Sequence, residues 1–337
     1  MASSTSHFKS LIPFRALALV LTALAAWIAS ALYTVKLNPE MAFFRKADSA
    51  KRAWARTIDS HHQPKVVVYG GSSCMTTIIP ERMMEQHGLA VLNMGLHAGM
   101  GPKILTRYAI QTLQPGDTLI VAIEPDLLTL PLKSEPEGIQ FCFVTGNQTL
   151  LRDTAIWDWP GTLLDLRPGG YHVLTLMGKI ATRQPLYRYG LDEIHPDGWQ
   201  EVTVKREFGI EPAKEISISN DAKKLLAWIH ESCATHHVRL AYSLPWCYCP
   251  ADDVAGLRRR NLDFMRQISE FIPVLKEPGL GVQTNRDLYA DTPLHLTREG
   301  ATLRTDELAD QIQHWNTWTP EEIKTALEFG QPAGPPL

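Results

Sequence analysis

The chain has 337 residues, 45% of them hydrophobic and 20% charged, which is enough for one large or two small globular domains. A formal net charge of −3 gives no basis for electrostatic binding of nucleic acid, so no nucleic-acid partner is expected. The five cysteines fit neither a disulfide framework nor a zinc pattern, and the twelve histidines form no metal-binding motif, so no metal or cofactor is expected.

The N-terminal segment carries the clearest physical signal. Residues 16–35 contain no charge, and about twenty such residues match the hydrocarbon thickness of a bilayer. Trp27 and Tyr33 lie toward the end of this run, where aromatic residues often mark the membrane interface. The run is longer than the apolar core of a signal peptide and lacks a small-x-small cleavage site. Residues 1–36 are therefore predicted to form an uncleaved transmembrane anchor rather than a cleaved signal.

The orientation of this anchor is not decided by charge. The positive residues before the span are Lys9 and Arg15, and those that follow it are Lys36, Arg45, Lys46, Lys51 and Arg52. Counting positive charges alone would place the following domain on the cytoplasmic side. Topology therefore stays open at this point.

The next segments alternate between helix and strand. Residues 37–62 are charged and helical in pattern, which predicts a stalk. The β-branched run KVVVYGGSS then predicts a buried strand that ends in a tight turn. Further strands are predicted at residues 90–94 and 118–123, with a helix at 103–113 between them. This alternation predicts a parallel, doubly wound α/β sheet.

The regular pattern stops after residue 130 and returns later. Residues 131–215 are rich in Pro, Gly, Trp and Tyr, which is typical of an elaborated insertion. After it, the pattern predicts a helix at 221–233, a strand at 238–244, a helix at 257–271, a strand at 272–275 and a helix at 297–315. The α/β domain is thus expected over residues 63–318, followed by a flexible tail at 319–337.

Two glycine-containing segments follow predicted strands, and ligands bind at this edge of open α/β sheets. The sequence GGSS at residues 70–73 can form a tight turn that exposes a serine hydroxyl and directs its N–H toward a carbonyl. Gly95, in the sequence Asn93-Met94-Gly95, would let a second backbone N–H approach the same oxygen. Either segment alone would be an ordinary structural turn.

A third segment supplies a histidine and a carboxylate. Asp291 and His295 are four residues apart, just before the last predicted helix of the domain. A serine at neutral pH needs a base such as histidine, and that histidine needs a partner that fixes its tautomer. A similar pair, Asp192 and His195, lies inside the irregular insertion, where its place in the chain argues against catalysis.

In this order and at these strand ends, the three segments resemble the SGNH (GDSL-like) hydrolase superfamily over residues 65–309. The closest branch is membrane-anchored and includes alginate O-acetylation proteins and the D-alanyl transfer protein of teichoic acids. The resemblance implies an SGNH/flavodoxin-like three-layer sandwich with a central parallel sheet. It also implies an extracytoplasmic domain on a single-pass inner-membrane protein.

Carried over position by position, the resemblance assigns a catalytic set. Gly71 stands where the family has the aspartate of its Gly-Asp-Ser motif, which makes Ser72 the nucleophile and leaves Ser73 as the alternative. His295 matches the family's histidine, with Asp291 as its partner. The oxyanion donors would be the N–H groups of Ser72 and Gly95.

Two departures from the family pattern bear on activity. The aspartate and the histidine are separated by three residues rather than two, and the third strand ends Ala122-Ile123-Glu124-Pro125 where the family has Gly-x-Asn. Asn93 is the remaining candidate for a side-chain oxyanion donor. Losing such a donor lowers transition-state stabilisation by about 3 kcal/mol, which favours a slow, dedicated transferase over a vigorous esterase.

Two classes of function follow. The first is a membrane-anchored serine acyl-esterase or O-acyltransferase that modifies an exported polysaccharide or another glycan or acylated substrate, with a multi-span membrane acyltransferase as a candidate partner. The second is a catalytically degenerate accessory protein that binds glycan. Its stacking surface would be the aromatic residues of the insertion, namely Trp157, Trp159, Tyr171, Tyr187, Tyr189 and Trp199.

Overall fold

The structure is a computed structural model that describes residues 6–60, 63–132, 135–152, 159–167, 170–210, 215–277 and 279–329. The chain divides into two compact units. The smaller unit comprises Met1–Ala42 and Ile139–Arg188, and the larger comprises Phe43–Gly138 and Tyr189–Leu337.

A parallel sheet forms the centre of the larger unit. Its strands are β1 (Val66–Tyr69), β2 (Val91–Asn93), β3 (Thr118–Val121) and β4 (Arg239–Tyr242). Their order is β2-β1-β3-β4, and every neighbouring pair is parallel. Val, Leu and Ile dominate the strands and are buried, as expected for a sheet that is covered on both faces. The prediction of a parallel α/β sheet is confirmed.

The strand order places a crevice at one edge of the sheet. After β1 the chain moves to one side to form β2 and later to the other side to form β3. In such sheets the crevice lies beyond the carboxyl ends of the strands where the order reverses. The segments that follow β1 and β3 therefore face each other at this point.

Beyond this sheet, the described residues contain twelve α-helices and one short strand pair. The pair is β5 (Cys247–Tyr248) and β6 (Val282–Gln283), which the sequence patterns did not predict. The helices are α1 (Ser6–Lys36), α2 (Pro39–Asp59), α3 (Ser72–Thr77), α4 (Pro80–His87), α5 (Pro102–Ile110), α6 (Pro136–Val144), α7 (Trp159–Asp165), α8 (Gly170–Ala181), α9 (Asn220–Thr235), α10 (Val254–Ser269), α11 (Arg298–His314) and α12 (Pro320–Phe329).

Helix α1 is the only described helix that is long and apolar enough to cross a membrane. The qualifying segment, Phe14–Lys36, has a mean hydropathy of 2.0, and its side chains are almost all exposed. An exposed helix of this composition is stabilised in lipid rather than in water. The expectation of a membrane-spanning N-terminal helix is thus supported by length and composition, while the side of the membrane stays open.

Helix α2 differs from the predicted stalk. It is helical as expected, but from Phe43 onward it belongs to the larger unit. Phe44, Ala47, Lys51 and Ile58 are buried along one face. The alternation of charged and apolar residues that suggested a solvated stalk instead produces an amphipathic helix packed on the α/β unit.

The segment predicted as the flexible tail contains a helix. In α12, Ile323 and Ala326 are buried, and the helix packs against α10. Glu322 forms an ion pair of 2.7 Å with Lys276. Residues 330–337 of the predicted tail lie outside the described residues.

The predicted strand at 272–275 is reduced to isolated bridges, in which Val274 pairs with Tyr242. All five cysteines are free thiols.

Candidate active site

Ser72 begins α3 immediately after the turn that ends β1. Two glycines make this turn possible because no side chain would fit there. A Cβ on Gly70 would lie 2.1 Å from the carbonyl oxygen of Ala122, and a Cβ on Gly71 would lie 2.4 Å from a carboxylate oxygen of Glu124. The turn after β1 is therefore packed directly on the segment that follows β3.

The two candidate nucleophiles differ in accessibility. Ser72 is partly exposed, and no hydrogen bond involves its hydroxyl or its N–H within the described part of the chain. Ser73 is 1% exposed, and its hydroxyl has no hydrogen-bond partner among the described residues. A nucleophile must be reached by its substrate, so the geometry favours Ser72. Its N–H, at the start of α3, can still donate to an oxyanion.

Glu124 holds the nucleophile turn in place. Its carboxylate, which is 4% exposed, accepts the N–H of Gly71 and the N–H of Ser73, each at 2.9 Å. Charge-assisted hydrogen bonds of this kind are among the stronger ones in proteins. The carboxylate fills the space that a side chain at position 71 would occupy. Glu124, in the segment that follows β3, thus stabilises the turn after β1. The SGNH family, which the sequence motifs resemble, carries an aspartate in the turn itself.

In the second glycine turn, the polar groups of Asn93 and Gly95 are hydrogen-bonded within the protein. Asn93 is fully buried and donates its two amide protons to the carbonyls of Cys74 and Ile78. Its side-chain oxygen accepts the N–H of Gly95 at 2.8 Å. Asn93 has no amide proton left for an oxyanion, and the N–H of Gly95 would have to leave Asn93 to provide one. Of the expected oxyanion donors, only the Ser72 N–H is without a partner here.

His295 and Asp291 form a buried pair. Nδ1 of His295 lies 2.8 Å from Oδ1 of Asp291, and the two residues are 6% and 4% exposed. The hydroxyl of Tyr189 donates to the other carboxylate oxygen, Oδ2, at 3.0 Å. This arrangement selects the tautomer that carries its proton on Nδ1, which leaves the lone pair on Nε2. His295 is therefore set up as a base.

The local fold explains how this pair is held. The hydroxyl of Thr292 accepts the N–H of His295 at 3.0 Å and thereby closes a tight turn between the two residues. Thr297 caps α11 by accepting the N–H of Gly300. Because a turn rather than a helix joins them, residues four apart approach each other without helical geometry. The spacing of three residues between Asp291 and His295 is thus compatible with their pairing.

A cavity of about 680 Å³ is lined by neighbours of both candidate segments, whereas Ser72, Asp291 and His295 are not among its described lining residues. Glu124, which holds the Ser72 turn, lines it, and so do Pro293 and Leu294, which directly precede His295. Neither serine hydroxyl is hydrogen-bonded to His295 in the described part of the chain. Catalytic hydrogen bonds are often long without substrate, so the pairing of Ser72 with His295 is a proposal for this site.

The walls of this cavity are mostly apolar. Residues that follow β4, residues of α10 and the end of the insertion contribute to its lining. The apolar lining residues include Pro125, Leu130, Ile210, Ile216, Leu244, Pro245, Leu257, Pro293 and Leu294. Arg260 and several carboxylates supply polar groups at the rim. A cleft of this size, largely apolar with a few polar groups, is typical of sites for small organic ligands.

The second histidine–carboxylate candidate is engaged elsewhere. Nε2 of His195 lies 3.0 Å from Glu201, not from Asp192, and Glu201 also forms an ion pair with Arg298. Trp199, which had been assigned to a stacking surface, is buried in the core and donates its indole N–H to the carbonyl of Thr76. Trp199 is therefore not available to the predicted stacking surface, and the side chain of Tyr171 lies outside the described residues. Trp157 lies outside the described residues.

Lys51 is a buried cation that the sequence patterns did not single out as part of the folded unit. Its ammonium donates to the carbonyls of Asn93 and Gly198 at 2.7 and 2.8 Å. Desolvation lowers the pKa of Lys51 to about 8. It was counted only as one of the positive charges that follow the membrane span, and its burial was not expected. The burial of Lys51 could have been predicted only from its position on the face of α2 that packs against the larger unit.

Lys51 should make stability depend on pH. Because its pKa falls from 10.5 to about 8 on folding, the unfolded chain binds more protons between these values, so the free energy of unfolding should rise with pH there. The full rise would be about 3 kcal/mol. Urea unfolding of the full chain in detergent at several pH values would measure it. Lys51→Met should lack the rise, whereas the exposed control Lys46→Met should keep it. An equal pH slope in wild type and Lys51→Met would contradict this prediction.

Comparisons with known proteins identify no relative of this chain. No protein-family model, curated protein or solved structure matches the chain. Among the described residues, no group of three or more His, Cys, Asp or Glu side chains is arranged to hold a metal ion. The resemblance to SGNH hydrolases therefore rests on the three sequence motifs alone, and the function has to be argued from the geometry of this site.

Proposed function

We propose that the chain is a membrane-anchored serine acyl-esterase or O-acyltransferase of the SGNH type. The observation that carries this proposal is the buried pair of His295 and Asp291, joined at 2.8 Å. Pro293 and Leu294, which lie between the two members of the pair, line the same cavity as Glu124, which holds the Ser72 turn. A base with a fixed tautomer, an accessible serine and an adjoining cleft are the parts that nucleophilic acyl transfer requires.

The reaction would begin at Ser72. Nε2 of His295 takes the hydroxyl proton while Oγ bonds to the acyl carbonyl carbon, and the negative charge on the carbonyl oxygen is stabilised by the Ser72 N–H. His295 then returns the proton to the departing alcohol as its bond to the acyl carbon breaks. Asp291 stabilises the imidazolium that exists between these two proton transfers. The product of this half is an ester on Ser72.

The second half would transfer the acyl group. Water or a sugar hydroxyl gives its proton to His295 and attacks the ester, and the same proton then returns to Ser72 as the product leaves. The Gly95 N–H already donates to Asn93, so the oxyanion has few donors. Loss of one donor costs on the order of 10²–10³ in rate. This favours a slow enzyme with a dedicated acceptor over a general esterase.

The membrane anchor suggests where the substrate is found. An α1 that crosses the inner membrane would hold the site close to it, which suits an exported polysaccharide or lipid-linked glycan. The domain would then be extracytoplasmic, and a multi-span membrane acyltransferase could supply the acyl group. The SGNH-like three-layer arrangement of the larger unit belongs to the same proposal. The strand order β2-β1-β3-β4 supports it, because it is the order in which a flavodoxin-like sheet begins.

One observation favours a second function. Both the Gly95 N–H and the Asn93 amide are used inside the protein, as expected for a domain that has kept its fold and lost catalysis. Such a protein would bind a glycan or an acylated ligand in the cavity of about 680 Å³ and serve as an accessory subunit. It would bind the same class of ligand without forming an ester on Ser72.

Hydrolysis of p-nitrophenyl acetate by the full chain in detergent tests the enzyme proposal. We expect slow turnover that is lost in Ser72→Ala. Ser73→Ala is the matched control and should retain activity, because the Ser73 hydroxyl is buried without a partner. Removing such a hydroxyl should also leave stability unchanged or raise it by up to about 1 kcal/mol. Turnover that persists in Ser72→Ala would rule out Ser72 as the nucleophile.

A further inference from the structure

The smaller unit exposes a large apolar surface on the insertion. Helix α8 presents Leu174, Met177 and Ile180, which are 70%, 62% and 60% exposed, and Val173 is exposed beside them. At 100° per residue these side chains lie within one face of the helix. Helix α7 adds Leu163 and Leu164. Soluble surfaces seldom expose contiguous apolar patches of this kind unless something covers them.

The opposite face of α8 is polar or small. It carries Thr175, Gly178 and Lys179, with Lys179 donating to the carbonyl of Leu186. A helix that is apolar on one side and polar with a lysine on the other is typical of segments that lie in a membrane interface. The lysine can reach the headgroup region while the apolar side faces the acyl chains.

A hydrogen bond fixes the depth of this surface. The indole N–H of Trp27 donates to the carbonyl of Leu163 at 3.0 Å, which joins α7 to α1. Trp27 lies nine residues before Lys36, the end of the segment that is apolar enough to cross a membrane. At a rise of 1.5 Å per residue this is about 13 Å inside that end. Helix α7 therefore lies at a level that α1 would place within the bilayer.

Helix α7 is held there by the rest of the smaller unit. Gln140 of α6 donates to the carbonyls of Asp165 and Arg167, at 3.0 and 3.4 Å. These contacts join α6 to the end of α7, and the Trp27 contact joins α7 to α1. The apolar residues of α7 thus belong to the same compact unit as the candidate membrane span.

We propose that α7 and α8 are embedded in the bilayer that α1 crosses, with Leu163, Leu164, Leu174, Met177 and Ile180 against the lipid acyl chains. The contact with Trp27 selects lipid as the occupant, because it holds α7 at membrane depth, where lipid is the surrounding solvent, and α8 belongs to the same compact unit. The protein then has two attachments to one membrane, a span and an embedded pair of helices. The second attachment limits rotation of the insertion about α1.

Depth-dependent fluorescence quenching tests this placement. The full chain, carrying an environment-sensitive probe on Leu174→Cys or Met177→Cys, is reconstituted into phosphatidylcholine/phosphatidylglycerol vesicles with spin-labelled lipids. Thr175→Cys is the control on the opposite face, and Leu21→Cys reports insertion of α1. Labelling of the unchanged protein gives the background, since four of the native thiols are buried and Cys247 is half-buried.

We expect blue-shifted emission and lipid quenching at Leu174 and Met177, weaker quenching at Thr175, and quenching at Leu21. Quenching at Leu21 alone, with aqueous emission at Leu174, would overturn the proposal in favour of a surface reserved for a protein partner. Blue-shifted emission at Leu174 without lipid quenching would overturn it in favour of contact between copies of the chain. Absence of quenching at Leu21 would overturn it by removing the membrane span on which it rests.

Discussion

His295→Ala is expected to lower ester turnover by at least about 10³-fold while the protein stays folded. The imidazole is the proposed base for Ser72, and its pairing with Asp291 at 2.8 Å through Nδ1 leaves Nε2 for the proton. The assay is hydrolysis of p-nitrophenyl acetate by the full chain, with urea unfolding to show that the variant is folded.

Two further variants separate a base from a structural residue. Asp291→Asn keeps the shape of the pair but favours the wrong tautomer, so turnover should fall by about 10³–10⁴. Tyr189→Phe removes one hydrogen bond to Asp291 and should cost far less. If both variants lost activity equally and both unfolded at lower urea concentration, the cluster would be structural and His295 would not be the base.

Glu124→Ala is expected to destabilise the larger unit by about 2–5 kcal/mol. The substitution leaves the buried N–H groups of Gly71 and Ser73 without acceptors, and an orphaned buried donor costs about 1–3 kcal/mol. Because these two amides flank Ser72, ester turnover should also fall. Glu124→Gln keeps one acceptor oxygen and should lie between wild type and Glu124→Ala in both unfolding free energy and turnover.

A double-mutant cycle with Gly71→Ala tests the same contact from the other side. A Cβ at position 71 would lie 2.4 and 2.5 Å from the two carboxylate oxygens of Glu124, so Gly71→Ala should be severely destabilising alone. In the Glu124→Ala background this clash is absent. We expect a coupling energy of about 1–3 kcal/mol. Additive effects would show that Glu124 does not hold this turn.

The parallel sheet was predictable because its strands are short, buried runs of β-branched and aliphatic residues between turn signals. The packing of α2 and α12 against the larger unit was not predictable from the sequence, for one physical reason. Lys51 in α2 and Ile323 in α12 are buried by tertiary packing, which local composition does not encode. The six-residue helix α3 and the two-residue strands β5 and β6 are too short to show a period.

The candidate site was predictable only in part. The spacing of Asp291 and His295 allowed their pairing to be expected, since a carboxylate can reach an imidazole across a tight turn. The role of Glu124 depends on the register that places the end of β3 beside the end of β1, and a sequence pattern does not contain this register. For the same reason, the hydrogen bond from the Gly95 N–H to the side-chain oxygen of Asn93 could not be predicted from the sequence.

Covalent labelling with a fluorophosphonate probe tests the central claim most directly, because the probe reacts only with an activated serine. We predict that the full chain in detergent is labelled, that Ser72→Ala and His295→Ala abolish labelling, and that Ser73→Ala retains it. Absence of labelling in folded wild-type protein would contradict an activated nucleophile in the isolated chain and favour the accessory glycan-binding function. Labelling that survives Ser72→Ala would contradict the assignment of the nucleophile.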